Sequence, residues 1–77
     1  MLKYYVSVIN GSAKALLAGP FDGHQMALEK VEPARQAAIK LDYFACFYAF
    51  GTASIDLEKW GDRPLPVGRL NKELGLE

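Results

Sequence analysis

The side chains that carry most enzyme chemistry are few in this sequence, and their spacing matches no catalytic or metal-binding pattern. There is one histidine, His24, and one cysteine, Cys46, whereas a metal centre needs three or four ligands. The carboxylates of Asp42, Asp56 and Asp62 are scattered through predicted turns and caps and form no catalytic pair. We therefore expect a protein that is not an enzyme, with no metal and no cofactor.

Basic and aromatic residues near the N-terminus suggest a second kind of chemistry, the binding of single-stranded nucleic acid. Lys3 and Lys14 flank Tyr5 on one predicted sheet face, which Tyr43 and Phe47 could extend. Aromatic rings between basic side chains can stack on bases. The chain has nine basic and nine acidic residues, however, and nucleic-acid binders usually carry a basic excess. A nucleic-acid face formed by Lys3, Tyr5 and Lys14 is therefore the second interpretation.

Length and composition restrict the class of protein. A chain of 77 residues forms one small domain that buries only about 60% of its unfolded surface. No apolar run is long enough to cross a membrane, and the first residues do not resemble a signal peptide. A single cysteine forms no internal disulfide. We expect a soluble protein that works in the cytoplasm without contacting a membrane.

The first element is predicted to be a β-hairpin. Residues Leu2–Ile9 alternate, and Asn10-Gly11 follows, a pair that favours a type I′ turn. Such a turn would pair Val8 with Ala13. The alternating side that begins with Leu2 is the predicted core side, and the second strand should end at Gly19-Pro20, which suits an edge position.

A helix is predicted after the hairpin. Asp22 is a favourable N-cap, and Gln25 would complete a capping box with it, while Phe21 and Met26 have the spacing of a hydrophobic staple. Pro33 interrupts the helical pattern and removes one backbone hydrogen bond. We expect either a kinked helix or two short helices with Pro33 opening the second.

A third strand is predicted at Tyr43–Thr52, "YFACFYAFGT", which is apolar on both alternating sides. We place one side beneath the helix (Phe44, Cys46, Tyr48 and Phe50). The other side would leave Tyr43 and Phe47 on the open sheet face, beside Tyr5 and Leu16. Since crossover connections are right-handed, the expected fold is α+β, a ββαβ unit whose antiparallel or mixed sheet has the strand order 2-1-3.

The C-terminal part is predicted to be an irregular tail. Residues 1–54 would form the ββαβ domain, and residues 55–77 would pack on or near its sheet. This segment contains "GDRPLPVG", rich in turn-forming residues. A last helical turn capped by Asn71 would close the chain.

Either the tail or another molecule could cover the open face of the sheet. The tail would use four apolar side chains (Trp60, Leu65, Val67 and Leu70). The alternative is a protein partner, with a contact surface made of Tyr5, Leu16, Tyr43, Ala45 and Phe47. The predicted third strand lies at the sheet edge without Pro, Lys or any charge, and such edges pair readily. We therefore expect a homodimer.

The stretches "KYYVSVINGSAKALLAGPFDGHQMAL" and "FYAFGTAS" resemble short proteins encoded in bacteriophage and prophage genomes. The resemblance covers residues 3–54. It implies an accessory protein, in the host cytoplasm, that acts by protein–protein binding; inhibition of a host enzyme or defence complex is one role of this kind. The alternative function is the single-stranded nucleic-acid module described above.

Overall fold

The computed structural model describes residues 1–76 as a three-stranded sheet packed against one long helix. The elements are β1 (Leu2–Asn10), β2 (Ala13–Phe21), α1 (His24–Leu41), a 3-10 helix (Tyr43–Phe47), β3 (Ala49–Asp56) and α2 (Leu57–Trp60). Both strand pairs are antiparallel, and the strand order is β2-β1-β3. The predicted α+β class and the predicted strand order are confirmed.

The hairpin turn lies one residue further along the chain than predicted. Asn10 pairs with Ala13, and Val8 pairs with Ala15 instead of Ala13. Gly11 has φ +62°, and no residue other than glycine has a positive φ in the described chain. A type I′ turn needs positive φ at both central positions, so the observed φ pattern is that of a type II′ turn with glycine first. The predicted register is therefore wrong, although the hairpin itself is present.

The core lies between the sheet and α1. Val6 is fully buried, and Tyr4 and Val8 pack against the same cluster, as the alternation of β1 predicts. On the helix side, Ala27 and Ala34 are fully buried. Their small side chains allow the helix to approach the sheet closely. Larger residues fill the rest of the core at interior density, and these are Leu17, Phe21 and Leu70.

The predicted start of the helix is wrong in its details. The N-cap is Gly23, with no side-chain hydrogen bond, because β2 continues through Phe21 and leaves only two residues to reach the helix. The carboxylate of Asp22 forms an ion pair with Lys3 instead. Because the N-cap has no side-chain hydrogen bond, the predicted capping box is absent. Pro33 lies inside α1, so the two-helix alternative is also wrong.

The predicted third strand begins too early. Asp42 accepts a hydrogen bond from the backbone N–H of Phe44 and starts the 3-10 helix directly after α1, so β3 begins only at Ala49. Of the four residues placed beneath the helix, Phe50 packs against the core. Phe44 is largely exposed, and Cys46 is half-buried on the 3-10 helix.

The chain after α2 covers the outer edge of β2. The backbone N–H groups of Gly68, Arg69 and Leu70 donate to the carbonyls of Gly19, Leu16 and Leu17, respectively. The buried Asn71 side chain both donates to and accepts from the backbone of Gly19. Asn71 therefore anchors the tail to β2, and the predicted helical turn is replaced by hydrogen-bonded turns. Glu77, the last residue of the predicted tail, lies outside the described residues.

Candidate binding surfaces

Large apolar side chains are exposed together between α1 and β3. The exposed fractions are 65% for Leu41, 72% for Tyr43, 66% for Phe44 and 77% for Phe47. Residues three apart in a 3-10 helix lie on the same side, which places Phe44 beside Phe47. The ring centroid of Tyr43 is 6.3 Å from that of Phe44, edge to face. We call these four residues the aromatic turn.

The aromatic turn is held by hydrogen bonds at both ends. The Asp42 carboxylate accepts from the Phe44 N–H at 3.1 Å, and the Tyr48 N–H donates to the carbonyl of Ala45 at 3.0 Å. Partial removal from water, together with the nearby charge and hydrogen bond of Asp42, raises the pKa of the Tyr48 phenol. The aromatic side chains are thus presented by an ordered backbone, which lowers the entropic cost of binding a partner.

The outer edge of β3 lies directly after the aromatic turn in the chain. In residues 1–76 no further strand pairs with this edge, and no backbone hydrogen bond outside the sheet reaches Ala49–Asp56. The strand carries no Pro or Lys, and its only charged residue is the terminal Asp56. Pro, Lys and other charged residues normally protect an edge strand against pairing. Because β3 lacks them along its length, its edge is open to another strand.

The structure exposes only part of the predicted partner surface and buries the rest. Tyr43 and Phe47 are exposed, as expected, but Tyr5 is fully buried and Ala45 is only 2% exposed. The tail covers Tyr5, whose hydroxyl donates to the carbonyl of Pro66 at 2.7 Å, and burial raises the pKa of this phenol. Neither Tyr5 nor Ala45 can therefore contact a partner, which corrects the predicted surface.

The predicted nucleic-acid face is not assembled. Lys3 pairs with Asp22, and Tyr5 has no exposed ring to stack on a base. Lys14 instead lines a groove on the sheet face that points away from α1, together with Leu16 and Arg69. Lys14 and Leu16 share this face as the strand alternation predicts, and the tail adds Arg69 by bringing it beside β2.

The sequence-based interpretation missed Leu41 and Phe44. The residue that could have indicated their exposure is Asp42, because an Asp can cap a new helical turn as readily as it can end a helix. His24, the one histidine, is exposed, and its ring nitrogen lies 3.2 Å from the Thr52 hydroxyl.

Residues 1–76 contain no group of three or more His, Cys, Asp or Glu residues placed to hold a metal ion. None of their helices combines the length and the apolar character needed to cross a bilayer. In comparisons with protein-family models, curated proteins and solved structures, no match to this chain was found.

Proposed function

We propose that this chain is a non-enzymatic binding protein whose partner docks on the aromatic turn. The observation that carries the proposal is the exposure of three aromatic side chains within five residues, each between 66% and 77%. Contiguous exposed apolar patches mark interaction surfaces in soluble proteins. Aromatic residues are also over-represented among the residues that dominate binding energy.

A second copy of the chain is the partner that we propose first. Antiparallel pairing of two β3 edges would create a two-fold dimer. In such a pair the start of one strand lies beside the end of the other, so the aromatic turn of each copy would reach α2 of its partner. Full net-charge balance removes long-range repulsion between copies.

The exposed aromatic side chains supply about half of the area that one partner contributes to a standard interface. A large aromatic side chain offers about 200 Å², so three that are about 70% exposed contribute roughly 400 Å². A standard interface takes about 800 Å² from each partner. The β3 edge and Leu41 would supply the remainder.

The same surface could serve a different protein. The resemblance to phage-encoded chains makes a host protein the second candidate partner, and binding to it could inhibit a host enzyme or defence complex. A single-stranded nucleic acid could stack on the same rings, but phosphate contacts would make that binding fall steeply with salt. An apolar protein contact should depend little on salt.

A photo-crosslinking amino acid at position 47 tests the proposal. With the purified protein, we expect covalent dimers whose cross-link maps to Leu57–Trp60, with the same yield at low and high salt. The same amino acid at Leu28, which is exposed on α1, is the matched control and should give none. Absence of any protein cross-link from position 47, in purified protein and in host cells alike, would contradict the proposal. Cross-linking to nucleic acid that disappears at high salt would favour the alternative.

A further inference from the structure

A groove of about 480 Å³ runs over the sheet face opposite α1. Apolar side chains line most of it (Leu16, Ala53, Ile55, Trp60, Pro66 and Val67). Its volume lies within the range of about 300–1,000 Å³ that is typical of small-molecule sites. No residue of the aromatic turn contributes to the lining, so within one copy the groove and the aromatic turn are different surfaces.

The charged groups of the groove all have the same sign. Lys14 and Arg69 line it, and no Asp or Glu does. The ion pairs found in residues 1–76 are Lys3–Asp22 and Arg35–Glu32, so neither Lys14 nor Arg69 has an acidic partner there. These cations are available for a ligand anion beside an apolar surface.

On its β2 side the groove offers no free backbone edge to a peptide. The outer edge of β2, where an added strand could pair, is already occupied by Gly68, Arg69 and Leu70. An extended peptide would therefore gain no main-chain hydrogen bonds from β2, although such bonds supply the affinity when a peptide adds to a sheet. The groove instead combines an apolar lining with a few convergent polar groups, as small-molecule sites do.

We propose that the groove binds a small amphipathic anion, a carboxylate on an unbranched alkyl chain. The chain would lie against Leu16, Ile55 and Trp60, and the carboxylate would accept charge-assisted hydrogen bonds from Arg69 and Lys14. Arginine can present two parallel N–H groups to a carboxylate, which makes Arg69 the main determinant of charge selectivity.

Trp60 is the sole tryptophan of the chain and lines the groove, so its fluorescence reports occupancy directly. The probes are decanoate, decanol and decyltrimethylammonium, titrated below the concentrations at which they form micelles. We expect a saturable change with decanoate, at least tenfold weaker binding of decanol, and no saturation with the cation. Arg69→Gln should weaken decanoate binding about tenfold.

Lys40→Gln is the matched control, since Lys40 is an exposed α1 residue that is absent from the groove lining; it should bind decanoate like the wild type. Circular dichroism would confirm that each variant is folded. Equal affinity for decanoate and decanol, unchanged affinity in Arg69→Gln, or no saturation with decanoate would each overturn the proposal.

Discussion

Tyr5 shows how one residue can change its apparent role when the tail is in place. The sequence places it on an open sheet face between two lysines, where it could bind a partner or a base. In the structure its ring is fully buried, and its hydroxyl donates to the carbonyl of Pro66. A Cβ at Gly19 would lie 2.7 Å from the Tyr5 ring, so glycine there lets the ring sit against the backbone. Tyr5 is therefore part of the fold.

The buried phenol predicts a loss of stability at alkaline pH. Because burial raises the pKa of Tyr5 above its ordinary value of 10.0, the unfolded state ionises first. The contribution is therefore fully present below about pH 10 and is lost as the pH rises through the folded-state pKa. We expect the free energy of unfolding, measured in urea, to fall from pH 9 to pH 11.

Tyr5→Phe is the corresponding variant. It should be less stable by about 1 kcal/mol at neutral pH, because the hydrogen bond to Pro66 is lost, but its alkaline decline should be shallower. Some decline should remain, since Tyr48 also has a raised pKa. An equally steep decline in Tyr5→Phe would show that ionisation of Tyr5 is not its cause.

At the scale of elements, local patterns predict the hairpin, the helix and the strand order, but they fail where two conformations compete. Residues Tyr43–Phe47 are aromatic and apolar, and such residues are enriched in strands, yet they form a 3-10 helix. The cap provided by Asp42 favours the 3-10 helix, and this cap is not visible in the alternation. The docking of Gly68–Leu70 on β2 is long-range, so no local pattern encodes it.

Gly68 tests the importance of this docking. A Cβ at Gly68 would lie 2.5 Å from the Cα of Ala18, so Gly68→Ala must push the tail away from β2. That displacement would expose Leu70 and break the Asn71 bonds to Gly19. We expect a loss of about 2–4 kcal/mol in the free energy of unfolding, measured by urea denaturation.

Gly51→Ala is the matched control, because a Cβ at Gly51 meets nothing within 4 Å and its φ is ordinary. It should change stability by less than about 0.5 kcal/mol. Equal stabilities of the two variants would show that the tail does not stabilise the sheet through its contact with β2.

At the scale of the whole molecule, the tail protects one edge and one part of the sheet, and it leaves other apolar surface uncovered. It bonds to β2 and buries Tyr5, but within residues 1–76 the outer edge of β3 is unpaired and the aromatic turn is exposed. The sequence predicts that Tyr43 and Phe47 are exposed, because the helix cannot cover both sides of an apolar segment. It could not separate them from Tyr5 and Leu16, since that separation depends on where β3 begins and on where the tail lies.

The central claim is that the aromatic turn is a contact surface between copies, and sedimentation equilibrium tests it most directly. From micromolar to submillimolar concentration, we expect the 8.5 kDa chain to form a dimer. Phe47→Glu, which places a charge in the contact, should weaken dimerisation at least about tenfold. Leu28→Glu, a substitution at an exposed α1 position, should leave it unchanged. A single 8.5 kDa species over the whole range, or a dimer that Phe47→Glu does not weaken, would contradict the claim.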